Sequence, residues 1–318
     1  MDAIAGGIAF GPVPSRRLGQ SLGVNNIPPK ACSYSCVYCQ LGRTSAMQLE
    51  RRAFYEPGDI LQEVQGKVER IRALGPIDFI TFVPDGEPTL DANLGHEIAL
   101  LRPLGIPIAV ISNASLISRE DVREDLRQAD WVSLKIDSMS EEVWRRIDRP
   151  HRMLRLSPVL DGMLEFARSY KGKLVTETML VQGVNDGDEQ IRELAGFLAR
   201  LSPACAYLAI PTRPPAEAWV HAPGEETVVR AHQLLSERVE CVEYLIGYEG
   251  NAFASTGNPE EDLLSITAVH PMREEAVTEL LARAGGNWLT VYELIAQGRL
   301  VETEYEGYKF YTRKLPGR

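Results

Sequence analysis

Short apolar, β-rich runs alternate along the chain with stretches whose apolar residues recur every three or four positions, the pattern of repeated strand–helix units around a parallel sheet. Strands are predicted at about 20–25, 77–83, 106–111, 131–136, 173–181 and 205–210, with a further strand at about 241–247 placed to close one edge. The clearest helix spans 59–74, where Ile60, Val64, Val68, Ile71 and Leu74 share a face and Asp59 is placed to cap the first turn. Other helices are predicted near 91–102, 119–128, 140–148, 157–170, 188–201 and 224–237. Strand alternation puts Ser133, Lys135 and Asp137 on one side of the fourth strand. On the fifth it sets Glu177 and Met179 against Thr176, Thr178 and Leu180, with Glu177 the favoured inward polar group.

After residue 247 the pattern changes. Gly250, Asn251, Ser255, Thr256, Gly257, Asn258 and Pro259 predict a loop-rich linker over 248–262. Beyond it, Pro271 can open a helix with Val277, Leu280, Leu281 and Ala284 on one face, and a second helix near 290–297 stops at Gly298. Leu300 to Thr312 alternates around Glu306-Gly307 as a hairpin does. Helix, helix, hairpin predicts a small winged-helix-like domain over 263–318, following a main domain over 1–247.

With 318 residues, 44% of them hydrophobic, a sizeable core is expected. The net charge of −10 argues against a general nucleic-acid binder, although residues 1–58 are locally positive, with Arg16, Arg17, Lys30, Arg43, Arg51 and Arg52 against Asp2, Glu50 and Glu56. No run approaches the roughly 18 apolar residues of a membrane span, and the N-terminus lacks a secretory pattern, so a cytoplasmic protein with no membrane partner is expected. Five cysteines without framework spacing fit a reducing compartment. Cys205 and Cys241, each solitary and beside an apolar run, read as small buried hydrophobes. His151, between Pro150 and Arg152, reads as part of a solvated basic loop.

The remaining cysteines carry the chemistry. Cys32, Cys36 and Cys39 spell C-x3-C-x2-C and supply three thiolates to a cluster that takes four, which leaves one iron of a [4Fe-4S] cluster open. A structural zinc site needs four closed ligands, and this spacing offers three. The run Cys32-Ser33-Tyr34-Ser35-Cys36-Val37-Tyr38-Cys39 resembles the signature of the radical S-adenosylmethionine (SAM) superfamily. The opening Phe10-Gly11-Pro12-Val13-Pro14-Ser15-Arg16-Arg17-Leu18-Gly19 resembles iron–sulfur oxidoreductases related to the wyosine-tRNA enzymes. The resemblance implies an open (βα)6 partial TIM barrel with function at the C-terminal strand ends. It also implies that SAM chelates the open iron and that an electron splits it to methionine and a 5′-deoxyadenosyl radical, which abstracts hydrogen from a substrate. The electron would come from a donor of the reduced flavodoxin or ferredoxin type.

Several residues match positions that bind SAM in that family. The backbone at Tyr38 would touch adenine. Pro84-Asp85-Gly86-Glu87-Pro88-Thr89 resembles the family's Gly-Gly-Glu motif with Asp85 in place of the first glycine; Gly86 would let backbone approach the ligand and Glu87 would meet the SAM ammonium. Ser112 and Asn113, at the next strand end, match a place that binds ribose or carboxylate. Apart from that match, the side that Lys135 and Asp137 share would be the lumen of a barrel, where they would bind a carboxylate and ribose hydroxyls, with Glu177 as a further inward, cofactor-facing group. Arg213 and the Arg16-Arg17 pair are candidate anion sites for substrate charge. The substrate class stays open between RNA, a protein or peptide, and a small metabolite. An iron–sulfur electron carrier or redox sensor without SAM chemistry is the non-enzymatic alternative.

Overall fold

A computed structural model describes residues 7–72, 75–247, 250–251, 253 and 255–314; Leu74 lies outside the described residues. The chain opens with β1 (Ala9–Ser15) and β2 (Gly19–Val24), and two short strands, β3 (Ala31–Cys32) and β4 (Ala46–Met47), bracket the cysteine loop. There follow α1 (Pro57–Arg72), β5 (Phe79–Phe82), α2 (Leu94–Leu101), β6 (Ile108–Ser112), α3 (Glu120–Leu126), β7 (Trp131–Lys135), α4 (Glu141–Ile147) and α5 (Leu156–Ser169). Then come β8 (Lys173–Met179), α6 (Asp188–Leu201), β9 (Cys205–Ala209), α7 (Glu225–Ser236) and β10 (Val242–Leu245). The sheet order is β1-β2-β5-β6-β7-β8-β9-β10, parallel from β2 to β10 with β1 antiparallel on the edge, and it curls into a half-barrel of the partial TIM type.

The alternation along each strand builds two different interiors. Leu22, Ile80, Phe82, Val110, Val132, Leu134 and Leu208 point outward and bury against helix residues such as Ile60, Val64, Ile98, Phe166 and Leu194. Each such side chain contributes about 1.5–3 kcal/mol of burial, so this shell holds the barrel together. The opposite positions point inward. At the floor, Leu18, Ala109, Trp131, Val175, Cys205 and Tyr207 pack together, and nearer the C-terminal strand ends Ile111, Lys135, Glu177, Met179 and Ala209 line a cavity.

The predicted strands match the observed ones within about two residues. Two departures have local causes. α1 starts at Pro57, a favoured first helical residue, which leaves Asp59 inside the first turn and not at the cap. β1 went unrecognised because Gly11, Pro12 and Pro14 argue against a strand, and an edge position is where prolines are tolerated.

A third departure is a correction. Cys205 and Cys241 are not separate packed thiols; they form a disulfide with Cα atoms 4.6 Å apart. Far apart in sequence, they are brought together by the parallel register of β9 and β10, in which Ala206 faces Val242 and the Ala206 amide donates to the Cys241 carbonyl at 2.8 Å.

The tail comprises α8 (Pro259–Val269), β11 (Met272–Arg273), α9 (Glu274–Ala284), α10 (Trp288–Ala296), β12 (Leu300–Tyr305) and β13 (Tyr308–Arg313), with sheet order β11-β13-β12. Residues 259–262, within the predicted linker, form the first turn of α8, where the Asn258 side chain accepts from the Glu261 amide at 3.2 Å. From Asp262 to Val269 this helix is buried all round, so it shows no amphipathic period to read. It packs on Phe10 of β1 through Ala268 and Val269, and on Met272, Val277 and Leu280 of the tail through Leu263 and Ile266. The hairpin is as the sequence predicts: Glu306 and Gly307 both adopt positive φ, 48° and 79°, between the paired Tyr305 and Tyr308.

Candidate active site around the cysteine loop

Backbone bonds to three parts of the barrel pin the cysteine loop. The Lys30 amide donates to Asp85 O at 2.7 Å, Glu87 N to Ala31 O at 3.1 Å, Val37 N to Ile147 O at 2.9 Å and His151 N to Ser33 O at 2.9 Å. Gly86 sits where a Cβ would lie 1.8 Å from the Ala31 carbonyl oxygen, so the close approach that requires a glycine here is to the cysteine loop itself.

Glu87 joins the ends of β5 and β6. Its buried carboxylate accepts from Thr89 Oγ1 at 2.6 Å, Ser112 Oγ at 2.7 Å and Thr89 N at 3.1 Å on one oxygen, and from Asn113 N at 2.7 Å on the other. Burial raises its pKa while these donors pull it down. Asn113 passes the connection on, since its side-chain amide donates to Ser33 Oγ at 3.0 Å and lies 3.5 Å from the Cys32 sulfur. Ser112 is spent inside the same network, receiving the Ala114 amide at 2.9 Å.

The three thiols line one cavity of about 350 Å³ together with Tyr38, Gly86, Glu87, Ser112, Asn113, Lys135 and Glu177. Asp137 does not line it; it stands behind Tyr38, buried, and accepts from the Met179 amide at 2.6 Å. A tetrahedral zinc with bonds of about 2.3 Å would gather its sulfurs to roughly 3.8 Å of one another. Among the described residues the three Cys, His or carboxylate donors that lie within 4.8 Å of one another are Cys205, Cys241 and Glu243, so Cys32, Cys36 and Cys39 are not drawn together to the spacing of a single zinc. Three cysteine sulfurs on one cavity fit the ligand set of an iron–sulfur cluster. Burial pushes the Cys32 thiol up to about 12 and the Cys36 thiol well above its usual range, so a bound cation is what would draw them to thiolates. Donors are in place for sulfur that carries charge, with the Asn113 amide beside Cys32 and the Lys30 ammonium 3.8 Å from Cys39.

A charged chain crosses the lumen beside them. Glu177 accepts from Arg17 at 2.6 Å and from Lys135 at 2.8 Å, and although burial opposes ionisation these two cations hold its carboxyl down at about 2. Arg17 lies between the Trp131 and Tyr207 rings and is tied to Glu177, so although it lines the cavity it is already engaged by a carboxylate and is not the open anion site its sequence position suggests. Arg16 donates to the Ile246 carbonyl at 2.6 Å and faces the cavity mouth. Lys135 lies 4.8 Å over the Tyr38 ring, and the Tyr38 hydroxyl donates to Asp137 and, at 3.0 Å, to Asp148. Burial and the Asp137 carboxylate push Asp148 well up, and its Oδ1 lies 3.4 Å from the Cys36 sulfur.

The model of the radical SAM superfamily matches residues 26–195. The chain belongs to the radical SAM superfamily. It is a radical SAM enzyme by that membership and by its fold. It is 46% identical over 313 residues to a UPF0026 protein of Methanocaldococcus jannaschii, covering 98% of this chain and 97% of that one. Among solved structures, a radical SAM methyltransferase from Sphaerobacter thermophilus superposes with a TM-score of 0.54 at 19% identity, covering 73% of this chain and 69% of that one. TYW1 with a lysine–pyruvate adduct bound gives 0.52 at 17% identity, covering 69% and 74%. These likenesses establish the radical SAM fold. No helix among the described residues is long and apolar enough to cross a membrane.

Sequence reading missed two groups that face the cysteines. In the sequence Lys30 reads only as charge; its backbone φ of 63° turns it into the loop, where Nζ donates to the Gly42 carbonyl at 2.6 Å. Asp148 ends α4 and looks like an ordinary helix-terminal residue, with no signal short of the fold.

Proposed function

We propose that Cys32, Cys36 and Cys39 hold a [4Fe-4S] cluster with one iron open to SAM, and that the protein is a hydrogen-abstracting radical enzyme. Bound together, cluster and SAM would supply a 5′-deoxyadenosyl radical, and the protein's part is orientation and exclusion of water. The observation that carries this reading is the convergence of three thiols with the β5, β6, β7 and β8 strand ends on one cavity.

In this reading Asn113 and Lys30 donate toward the Cys32 and Cys39 sulfurs, and the Glu87 network fixes the height of Asn113. Gly86, Ser112 and Tyr38 form the walls that SAM would lie against. Glu177 holds Lys135 in place, and Lys135 offers its ammonium to a carboxylate. Met179 and Ile111 keep the interior apolar.

At the mouth, Arg16 and Arg213 supply positive charge for an anionic part of the substrate. The tail reaches this rim: Gln40 donates to the Val269 carbonyl at 2.9 Å and accepts from Arg213 at 2.8 Å. We read the tail as a winged-helix-like module that partly covers the opening. With SAM filling most of a cavity of about 350 Å³, the substrate would present a compact group at the open mouth, either a small anionic molecule or one protruding side chain or nucleoside. The acidic balance of the chain, and Glu302, Glu304 and Glu306 in the tail, favour the first two over RNA.

The test is anaerobic reconstitution with iron and sulfide, reduction with dithionite, and assay of 5′-deoxyadenosine. Production of 5′-deoxyadenosine supports the enzyme. An intact cluster that neither binds SAM nor yields 5′-deoxyadenosine supports an electron carrier or redox sensor instead.

A further inference from the structure

Behind the cysteine loop, on a surface that lines no part of the cavity, lies a basic patch with an apolar centre. The loop after α4 pairs directly with the cysteine loop, through the Tyr34–Pro150 bridge and the bonds of Ser35 N to Asp148 O at 3.1 Å and His151 N to Ser33 O at 2.9 Å. From it project Arg152 and Arg155, both exposed and without a carboxylate partner among the described residues. Met153 between them is 72% exposed. Arg146 lies 6.0 Å over the Trp219 ring, itself 42% exposed, and Arg149 binds Glu217, two residues before Trp219, at 2.5 Å. On a chain of net charge −10 this is a local excess of arginine around two large exposed apolar side chains. That is the anatomy of an interface, with apolar anchors inside a charged rim.

Between this surface and the sulfurs stands one aromatic pair. Trp144 of α4 is buried beneath Arg145 and packs edge-on against Tyr34, with ring centroids 5.7 Å apart and its indole N–H 3.3 Å from the Tyr34 hydroxyl. Tyr34 and Trp144 pack in turn against Cys32 and Cys36. Arg145 donates to the Leu154 carbonyl at 2.7 Å, so the Trp144–Tyr34 pair lies between the loop that carries the patch and the cysteines, and none of the patch residues lines the cavity.

We propose that this patch docks a small acidic one-electron carrier of the flavodoxin or ferredoxin class, which delivers its electron to the cysteine-held centre through the Trp144–Tyr34 layer. The inference rests on the cluster-binding reading above. The carrier is oxidised by one electron and the centre reduced by one, with no bond made or broken. The charge complementarity is specific to an acidic partner, and the position away from the cavity mouth excludes a substrate that must enter it.

The test compares wild type with R152E/R155E, a double change at exposed positions outside the cavity. Binding of flavodoxin is measured directly by calorimetry at low and high salt, and 5′-deoxyadenosine formation is measured with either reduced flavodoxin or dithionite. The expected result is tenfold or greater loss of flavodoxin affinity at low salt, flattened salt dependence, and a matching rise in the KM for flavodoxin, with the dithionite-driven rate unchanged. Unchanged flavodoxin affinity and KM would overturn the docking site, as would a loss confined to RNA binding. An equal fall in the dithionite-driven rate would also overturn it, because the patch would then act on the site's structure and not on the carrier. Failure of the wild type with dithionite would instead sink the radical SAM reading on which the site depends.

Discussion

The Asn113 backbone amide donates to Glu87 Oε2 at 2.7 Å while the same residue's side-chain amide lies 3.5 Å from the Cys32 sulfur, so a carboxylate at the end of β5 sets the position of a donor to a cysteine. Glu87→Gln keeps the shape but replaces one acceptor oxygen with a donor, which then faces N–H or O–H groups that have lost their partner. The expected cost is about 1–3 kcal/mol in folding stability. Denaturant midpoints and iron content per chain check it, and a variant with wild-type values for both would show that the network does not organise the loop.

Gly86→Ala probes the same junction from the backbone side. With a Cβ 1.8 Å from Ala31 O, something must shift, and the atom in the way is main chain of the cysteine loop. Reconstituted protein is expected to bind markedly less iron and sulfide than wild type while its far-ultraviolet circular dichroism stays similar. Full cluster loading in the alanine variant would contradict the close approach described here.

Much of this was readable before the fold because the signals are local. The barrel strands announce themselves by apolar runs, Glu306-Gly307 by its turn chemistry, and Cys32, Cys36 and Cys39 by spacing. What stayed hidden depends on distance in the chain. Nothing near Cys205 points to Cys241; the pairing exists only once β9 and β10 lie in parallel register. Arg17 looks like an open anion site until Glu177, far along the chain, is seen to engage it. Helix α8 was missed for the opposite reason: a segment buried on every side has no polar face to give it a period.

The disulfide gives a separable prediction. It closes a loop of 36 residues between neighbouring strands at the barrel floor, remote from the cavity lining. In the chain-entropy picture its loss costs about 2–4 kcal/mol. Cys241→Ser is expected to lower the denaturant midpoint accordingly while cluster content after anaerobic reconstitution stays at the wild-type level. A parallel loss of cluster would mean that the floor and the cysteine loop are coupled.

Stability should fall with rising pH through a carboxyl pair beneath the loop. Glu97 is buried and, next to Asp91, has its carboxyl pushed up to about 9, with Asn26 Nδ2 donating to it at 3.2 Å. In the unfolded chain a glutamate titrates near about 4.3. Between these values the folded state holds a proton that the unfolded chain has released, so the contribution is fully present at low pH and is lost as pH rises towards 9. Glu97→Gln removes the titration, and the gap in urea midpoint between variant and wild type is expected to grow in the variant's favour from pH 5.5 to 8.5. A gap that does not change with pH would rule out a shared buried proton.

Glu177 titrates in the other direction. Its carboxyl is held at about 2 by Lys135 and Arg17, against the opposing effect of burial, so its ionic contribution is complete above roughly 4.3 and is lost as pH falls towards 2. Glu177→Ala leaves two part-buried cations without their shared partner, although Lys135 keeps Asp137 at 3.9 Å, so the cost is at most that of a broken buried pair, about 3–5 kcal/mol. Glu177→Gln keeps one acceptor and costs less, and it releases the Lys135 ammonium from its anchor. On the proposed role of Lys135, the glutamine variant is expected to bind SAM several-fold more weakly as well as to unfold earlier at pH 7. Its stability deficit should begin to shrink below about pH 4.3, where the unfolded wild-type chain takes up a proton that the folded carboxylate still refuses. Urea midpoints from pH 7 to 3, read beside SAM affinity by calorimetry on reconstituted protein, separate the two effects. A deficit that stays constant over that range would show that packing, and not the ion pairs, is what Glu177 supplies.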